Sequence, residues 1–147
     1  MRRFAVATVV VTCAAILPAA QMASGGQATR LPTFAGCLKN KPQIRPRSIV
    51  VACGDGNFFI TSIAWASWTS TTAVGAGTGH QNDCAPDCAR GHFNLYRVSL
   101  RLYRPALCQN NRREFTRFAW RFLGPKPSTS TRTGTVKSPF YTGAGCG

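Results

Sequence analysis

Two neighbouring segments of this chain alternate between apolar and polar residues with a period of two. From His92 to Arg104, the residues Tyr96, Val98, Leu100 and Leu102 share one face, and Arg97, Ser99, Arg101 and Tyr103 share the other. From Glu114 to Leu123, the residues Thr116, Phe118, Trp120 and Phe122 share one face, and Arg117, Ala119 and Arg121 the other. Only an extended strand sends successive side chains to opposite faces, so both segments read as half-buried antiparallel strands. Joined through Pro105–Arg113, they predict a hairpin. A one-residue slip would drive arginines into the core, so the parity of the pairing is strongly specified. A register with Arg104 opposite Glu114 adds one ion pair. It sets Leu102 against Thr116, Leu100 against Phe118, Val98 against Trp120 and Tyr96 against Phe122.

The same register sets Arg101 opposite Arg117 and Arg97 opposite Arg121, and like charges directly opposite are destabilising. Successive outward positions on a strand lie roughly 6.8 Å apart, similar to the phosphate spacing along one nucleic-acid strand. Arginine suits phosphate and sulfate recognition through its planar fork of donors. The face of Arg97, Arg101, Tyr103, Arg117 and Arg121 is therefore the candidate polyanion site. Its partner classes are nucleic acid, an anionic cell-envelope polymer, lipid headgroups or sulfated glycans. The competing reading is an ordinary solvated face, with arginine stems covering apolar surface.

The remaining chain reads as further strands. Ser48 to Cys53 is a short β-branched run, and Gly54-Asp55-Gly56-Asn57 follows as a hairpin turn. Phe58 to Thr69 is a strand with apolar residues on both faces. Phe59, Ile63 and Trp65 fall on one side, and Phe58, Ile60, Ala64 and Trp68 on the other. Trp65 and Trp68 thus have opposite parity: one reads as core, and for the other burial under a second sheet is favoured over an exposed ring that stacks on a sugar. Ala73 to His80 is a glycine-rich strand, and Asn82 to Gly91 is a loop. Residues 124–139 are rich in Pro, Ser and Thr and predict a long loop. No helical period appears. The expectation is a small all-β domain, an antiparallel two-sheet sandwich over residues 48–147, with an irregular basic lead-in at 29–47.

The N-terminus has the three-part layout of a secretory signal peptide, read as residues 1–28. Arg2 and Arg3 precede an apolar run from Phe4 to Leu17, and Pro18 and small residues follow. That run is shorter than the roughly 20 residues of a membrane span, so the mature protein is expected to be secreted, with no transmembrane segment. Of the chain's 7 cysteines, Cys13 lies in this leader. The other six, Cys37, Cys53, Cys84, Cys88, Cys108 and Cys146, read as a disulfide framework for an exported chain. Fifteen pairings are possible; the preferred set is Cys37–Cys53, Cys84–Cys88 and Cys108–Cys146. His80, Cys84, Cys88 and His92 recur every four residues, a spacing that raises a zinc site. The oxidising compartment, Pro86 and Gly91 favour the disulfide instead, so no metal and no cofactor are expected.

The chain carries 18 Lys+Arg against 4 Asp+Glu and only 2 His, which leaves little for acid–base chemistry. No nucleophile-elbow, zincin or Walker motif occurs. Gly75-Ala-Gly77-Thr-Gly79 lacks the spacing of a dinucleotide loop. Asp83 and Asp87 could flank a sugar, but their place in a tight loop predicts local turn hydrogen bonds. A small secreted ribonuclease is the enzymatic alternative, with His80 or His92 and Glu114 as the acid–base pair. His92 and Glu114 fall at opposite ends of the hairpin, roughly 40 Å apart, which argues against that pair.

Four stretches occur in order between Ala52 and Gly91. They are Cys53-Gly-Asp-Gly-Asn57, Ile63-Ala-Trp65-Ala-Ser-Trp68, Ala73-Val-Gly75-Ala-Gly77 and Cys84-Ala-Pro-Asp-Cys88-Ala-Arg-Gly91. This order resembles a group of small secreted proteins of actinobacteria, over about half of the mature chain as far as Leu102. The resemblance implies export from a high-GC Gram-positive bacterium and brings no catalytic residues. The sequence thus predicts a secreted basic binding or envelope-associated module without enzymatic machinery. A third possibility is a protein-interaction role for exposed aromatic residues near the arginines.

Overall fold

A computed structural model describes residues 30–37, 41–128 and 132–137. The proposed leader (1–28), Cys146 and part of the 124–139 segment lie outside the described residues. The described chain is all-β. Its strands are β1 (Ile49–Val50), β2 (Phe58–Trp68), β3 (Thr72–Asn82), β4 (Phe93–Leu107), β5 (Arg113–Phe122) and β6 (Thr133–Lys137). A single 3-10 turn, Gln109–Asn111, links β4 to β5. All six strands form one antiparallel sheet in the order β1-β2-β3-β4-β5-β6. The alternation predicted two packed sheets; the described strands form one sheet, and that sheet curls.

The curl is visible in ring contacts between strands that are not neighbours. Phe58 of β2 lies 5.1 Å from Trp120 and 5.8 Å from Phe122 of β5, and Trp68 lies 5.5 Å from Phe115. Strands β3 and β4 separate these partners in the sheet, so its concave face wraps a core. That core includes Ile60, Val98, Leu100, Leu102, Phe115, Phe118 and Phe122, all almost fully buried. Burying each such side chain contributes roughly 1.5–3 kcal/mol.

Irregularities in β2 give the sheet its bend. Its pairing with β3 shifts between Thr61 and Ala64 and again between Trp65 and Ser67, and Ser62 has φ of 51°. Bulges bend a strand and reset its facing. Ile63 is thereby buried on the same side as Phe58, Ile60 and Trp68, although strict alternation puts it on the opposite face. Trp65 and Trp68 meet edge-on at 4.8 Å, and their indole N–H groups donate to the carbonyls of Pro46 and Pro32. Trp68 is buried and Trp65 packs against the core as a partly buried ring.

Those two prolines belong to the lead-in, which is integral to the fold. Phe34, Ala35 and Cys37 are buried, and the Phe34 ring lies 6.0 Å from Phe118. Thr33 pairs in parallel with Glu114, donating to the Arg113 carbonyl at 2.9 Å and accepting from Phe115 N–H at 2.9 Å. The lead-in therefore extends the sheet beside the start of β5. Two disulfides join described residues, Cys37–Cys53 and Cys84–Cys88. Cys108 is disulfide-bonded as well, and its expected partner Cys146 lies outside the described residues. Strand β6 falls inside the segment predicted as a loop. It is paired along β5 from Arg117↔Lys137 to Arg121↔Thr133.

Candidate functional site: an arginine seam on the outer face

Strands β4 and β5 pair as predicted in parity but two residues away in register. Ser99 faces Arg121, Arg101 faces Ala119, and Tyr103 faces Arg117. The expected Arg101–Arg117 and Arg97–Arg121 oppositions do not form, and neither does the Arg104–Glu114 pair, since Glu114 faces Ala106. The observed register is the electrostatically better one, because no arginine of this face stands directly across from another. Val98, Leu100 and Leu102 still point inward with Phe118 and Phe122.

The two-residue shift turns opposed charges into a staggered line. Read along the seam, the outward arginines alternate between strands as Arg117, Arg101, Arg121 and Arg97. On one strand the arginines are four residues apart, roughly 14 Å, so neither strand alone has the phosphate-like spacing. Along the seam, however, one arginine occurs every two residues of rise, roughly 6.8 Å. Each is a diagonal neighbour of the next, about 7–8 Å away. Arg97, Arg101 and Arg121 are exposed and Arg117 is half-buried. The Arg101 guanidinium lies 5.5 Å from the centre of the half-buried Tyr103 ring, which orients it by cation–π attraction.

No acidic side chain among the described residues reaches this seam. The four acidic residues are all engaged elsewhere. Asp55 accepts from Asn57 N–H at 3.1 Å and from its side-chain amide at 2.8 Å. Asp83 accepts from the backbone N–H groups of His92 at 2.8 Å and Ala85 at 3.1 Å, and lies near the His92 ring. Asp87 pairs with Arg90. Glu114, only 3% exposed, accepts from Arg112 Nε at 2.7 Å. Hydrogen bonds hold the carboxyls of Asp55, Asp83 and Asp87 below the usual aspartate range. The leading donors are the Asn57 backbone, the His92 backbone and the Arg90 side chain respectively. The seam arginines thus make no ion pair among the described residues. Between Arg101 and Arg121 the surface dips into a shallow pocket of about 300 Å³, also lined by Val74, Ser99, Thr133 and Thr135.

Other sequence candidates separate in space. His80 stands opposite Leu95, and Glu114 opposite Ala106, on strand β4. Those positions are eleven residues apart, roughly 37 Å along the strand, so the two groups do not form an acid–base pair. The His80/Cys84/Cys88/His92 series does not gather either. The disulfide takes both sulfurs, His80 Nε2 is hydrogen-bonded to Thr61 Oγ1 at 2.8 Å, and His92 lies beside Asp83. Among the described residues no cluster of His, Cys, Asp or Glu is arranged to hold a metal ion.

The outer face also carries an aromatic cluster beyond the arginine set. Phe59 stacks on His80 at 4.5 Å and 9°, and Phe93 lies 5.3 Å from Phe59. Phe93 and Leu95 are exposed. Extending the outward set Tyr103, Arg101, Ser99 and Arg97 back by the same period reaches both residues, so the signal was present in the alternation.

No protein-family model, no curated protein and no solved structure matches the chain.

Proposed function

We propose that this protein is a secreted, non-enzymatic module that binds a linear polyanion along the β4–β5 seam. The observation that carries the reading is the staggered line of Arg117, Arg101, Arg121 and Arg97 with no acidic side chain beside it. All four acidic side chains are committed to local structure, so among the described residues no negative side chain offsets the field over this face. Export of the chain after removal of residues 1–28 fits the disulfides, which persist in oxidising compartments. It fits equally that no helix among the described residues is long and apolar enough to cross a membrane. The resemblance of residues 52–91 to small actinobacterial secreted proteins points to the same compartment.

The test is salt-dependent binding to inorganic polyphosphate. Each arginine–phosphate contact contributes about 0.7–0.9 to the slope of log affinity against log salt. The double charge reversal R101E/R121E removes two contacts beside the pocket. It is expected to lower the slope by about 1.5 and to weaken binding at all salt concentrations. An unchanged slope and affinity in that variant would falsify the proposal.

A further inference from the structure

We infer that the polyanion is a single-stranded nucleic acid, whose bases stack on the aromatic cluster at the Arg97 end of the seam. The inference rests on the reading of the seam as a polyanion site. A polyanion without rings has no use for exposed aromatic surface. Here the outer face carries Phe93 at 46% exposure and Leu95 at 64%, both on the same outward row as Arg97. The platform is pre-formed. Phe59 and His80 lie parallel on adjacent strands, the imidazole is held by Thr61, and Phe93 leans against Phe59. Leu95 stands opposite His80 and two residues from Arg97, so apolar surface joins the rings to the first arginine without a break.

This pairing of aromatic rings with a tracking line of cations is how proteins hold single strands, since every base presents a π-face whatever its identity. A duplex keeps its bases stacked internally and presents none to such a platform. The span from Phe93 to Tyr103 is roughly 34 Å. It accommodates about five extended nucleotides, within the range for single-strand sites. The strand would run along the seam with its bases over Phe93 and its phosphates passing Arg97, Arg121, Arg101 and Arg117.

The experiment compares three probes by fluorescence anisotropy on the oxidised protein. They are an eight-nucleotide oligothymidylate, an abasic phosphodiester of the same length, and inorganic polyphosphate as competitor. Oligothymidylate is expected to bind at least five-fold more tightly than the abasic oligomer. Phe93→Ala is expected to erase that difference without changing polyphosphate binding, and Phe93→Trp to restore it. Phe93 is exposed, so neither substitution opens the core. Equal affinity for oligothymidylate and the abasic oligomer, unmoved by Phe93→Ala, overturns the inference. If R101E/R121E still weakens both in that case, the seam reading stands alone. If R101E/R121E moves neither, the seam reading falls first.

Discussion

Gly77 shows how one missing atom shapes the sheet. A Cβ there would sit 2.7 Å from the Thr61 carbonyl oxygen and 3.1 Å from the side chains of Ile60 and Ile63. Thr61 is where β2 begins its first bulge, so the glycine makes room for backbone, which cannot swing aside as a side-chain tip does. Glycine to alanine in a strand usually gains about 0.5–1 kcal/mol. Here the sign reverses, and Gly77→Ala is expected to cost about 1–3 kcal/mol, read as a lower urea midpoint with unchanged slope. A neutral result would mean that β2 is not bulged at this point. The loop aspartates offer a second test. Asp83 and Asp87 have lowered carboxyl pKa values, from the hydrogen bonds of His92 and Arg90 above all. A lowered pKa in the folded state gives stability that is full above the unfolded value near 3.9. That stability is lost as pH falls through the folded value. NMR titration should therefore show both carboxyls titrating below about 3.9, with residues 83–92 still ordered at that pH. Midpoints at or above the ordinary value would contradict the hydrogen-bond assignment. The turn bonds of these aspartates to Ala85, Ala89 and Arg90 were legible in the sequence because they are short-range, whereas the Asp83–His92 bond spans the whole loop.

At the scale of elements, the faces of β4 and β5 could be read from the sequence and their register could not. Face follows from parity, which Val98, Leu100, Leu102, Phe118 and Phe122 declare plainly. Register depends on the connection, and here the 3-10 turn Gln109–Asn111 and the positive φ of Arg104 and Asn111 set it. The sequence offered an Arg104–Glu114 pair as a guide, whereas Glu114 is buried beside the lead-in and pairs with the partly exposed Arg112. Strand β6 was illegible for another reason. Thr133–Lys137 has one Val among small and polar residues and lies in a Pro/Ser/Thr-rich stretch. It is held by its backbone ladder to β5, and Gly134 fits against the Trp120 indole. The lead-in hid for want of any period, although Phe34 is among the core residues. Its anchorage can be measured. The Cys37–Cys53 bridge spans 16 positions with Cα atoms 5.3 Å apart. Replacing both cysteines by alanine is expected to cost about 3 kcal/mol in chemical denaturation. A loss well under 1 kcal/mol would show that the contacts with the tryptophans and with β5 hold the segment without the bridge.

For the whole molecule, the up-and-down order governs how the chain can assemble. Every ladder joins strands that are consecutive in sequence. Hairpins therefore close over short loops, at modest entropic cost, as soon as each strand is available. The exceptions involve the lead-in. Its Thr33 waits for Glu114, a partner some eighty positions on, and its Pro32 carbonyl waits for the Trp68 indole. In a chain synthesised N-terminus first, the lead-in is thus made before every strand it pairs with and is not fully anchored until β5 is present. Until β5 is in place, Phe34 has no Phe118 to cover and the core stays open on that side. The four arginines join one line only when β5 docks on β4, so the charged seam and the closed core are completed by the same event.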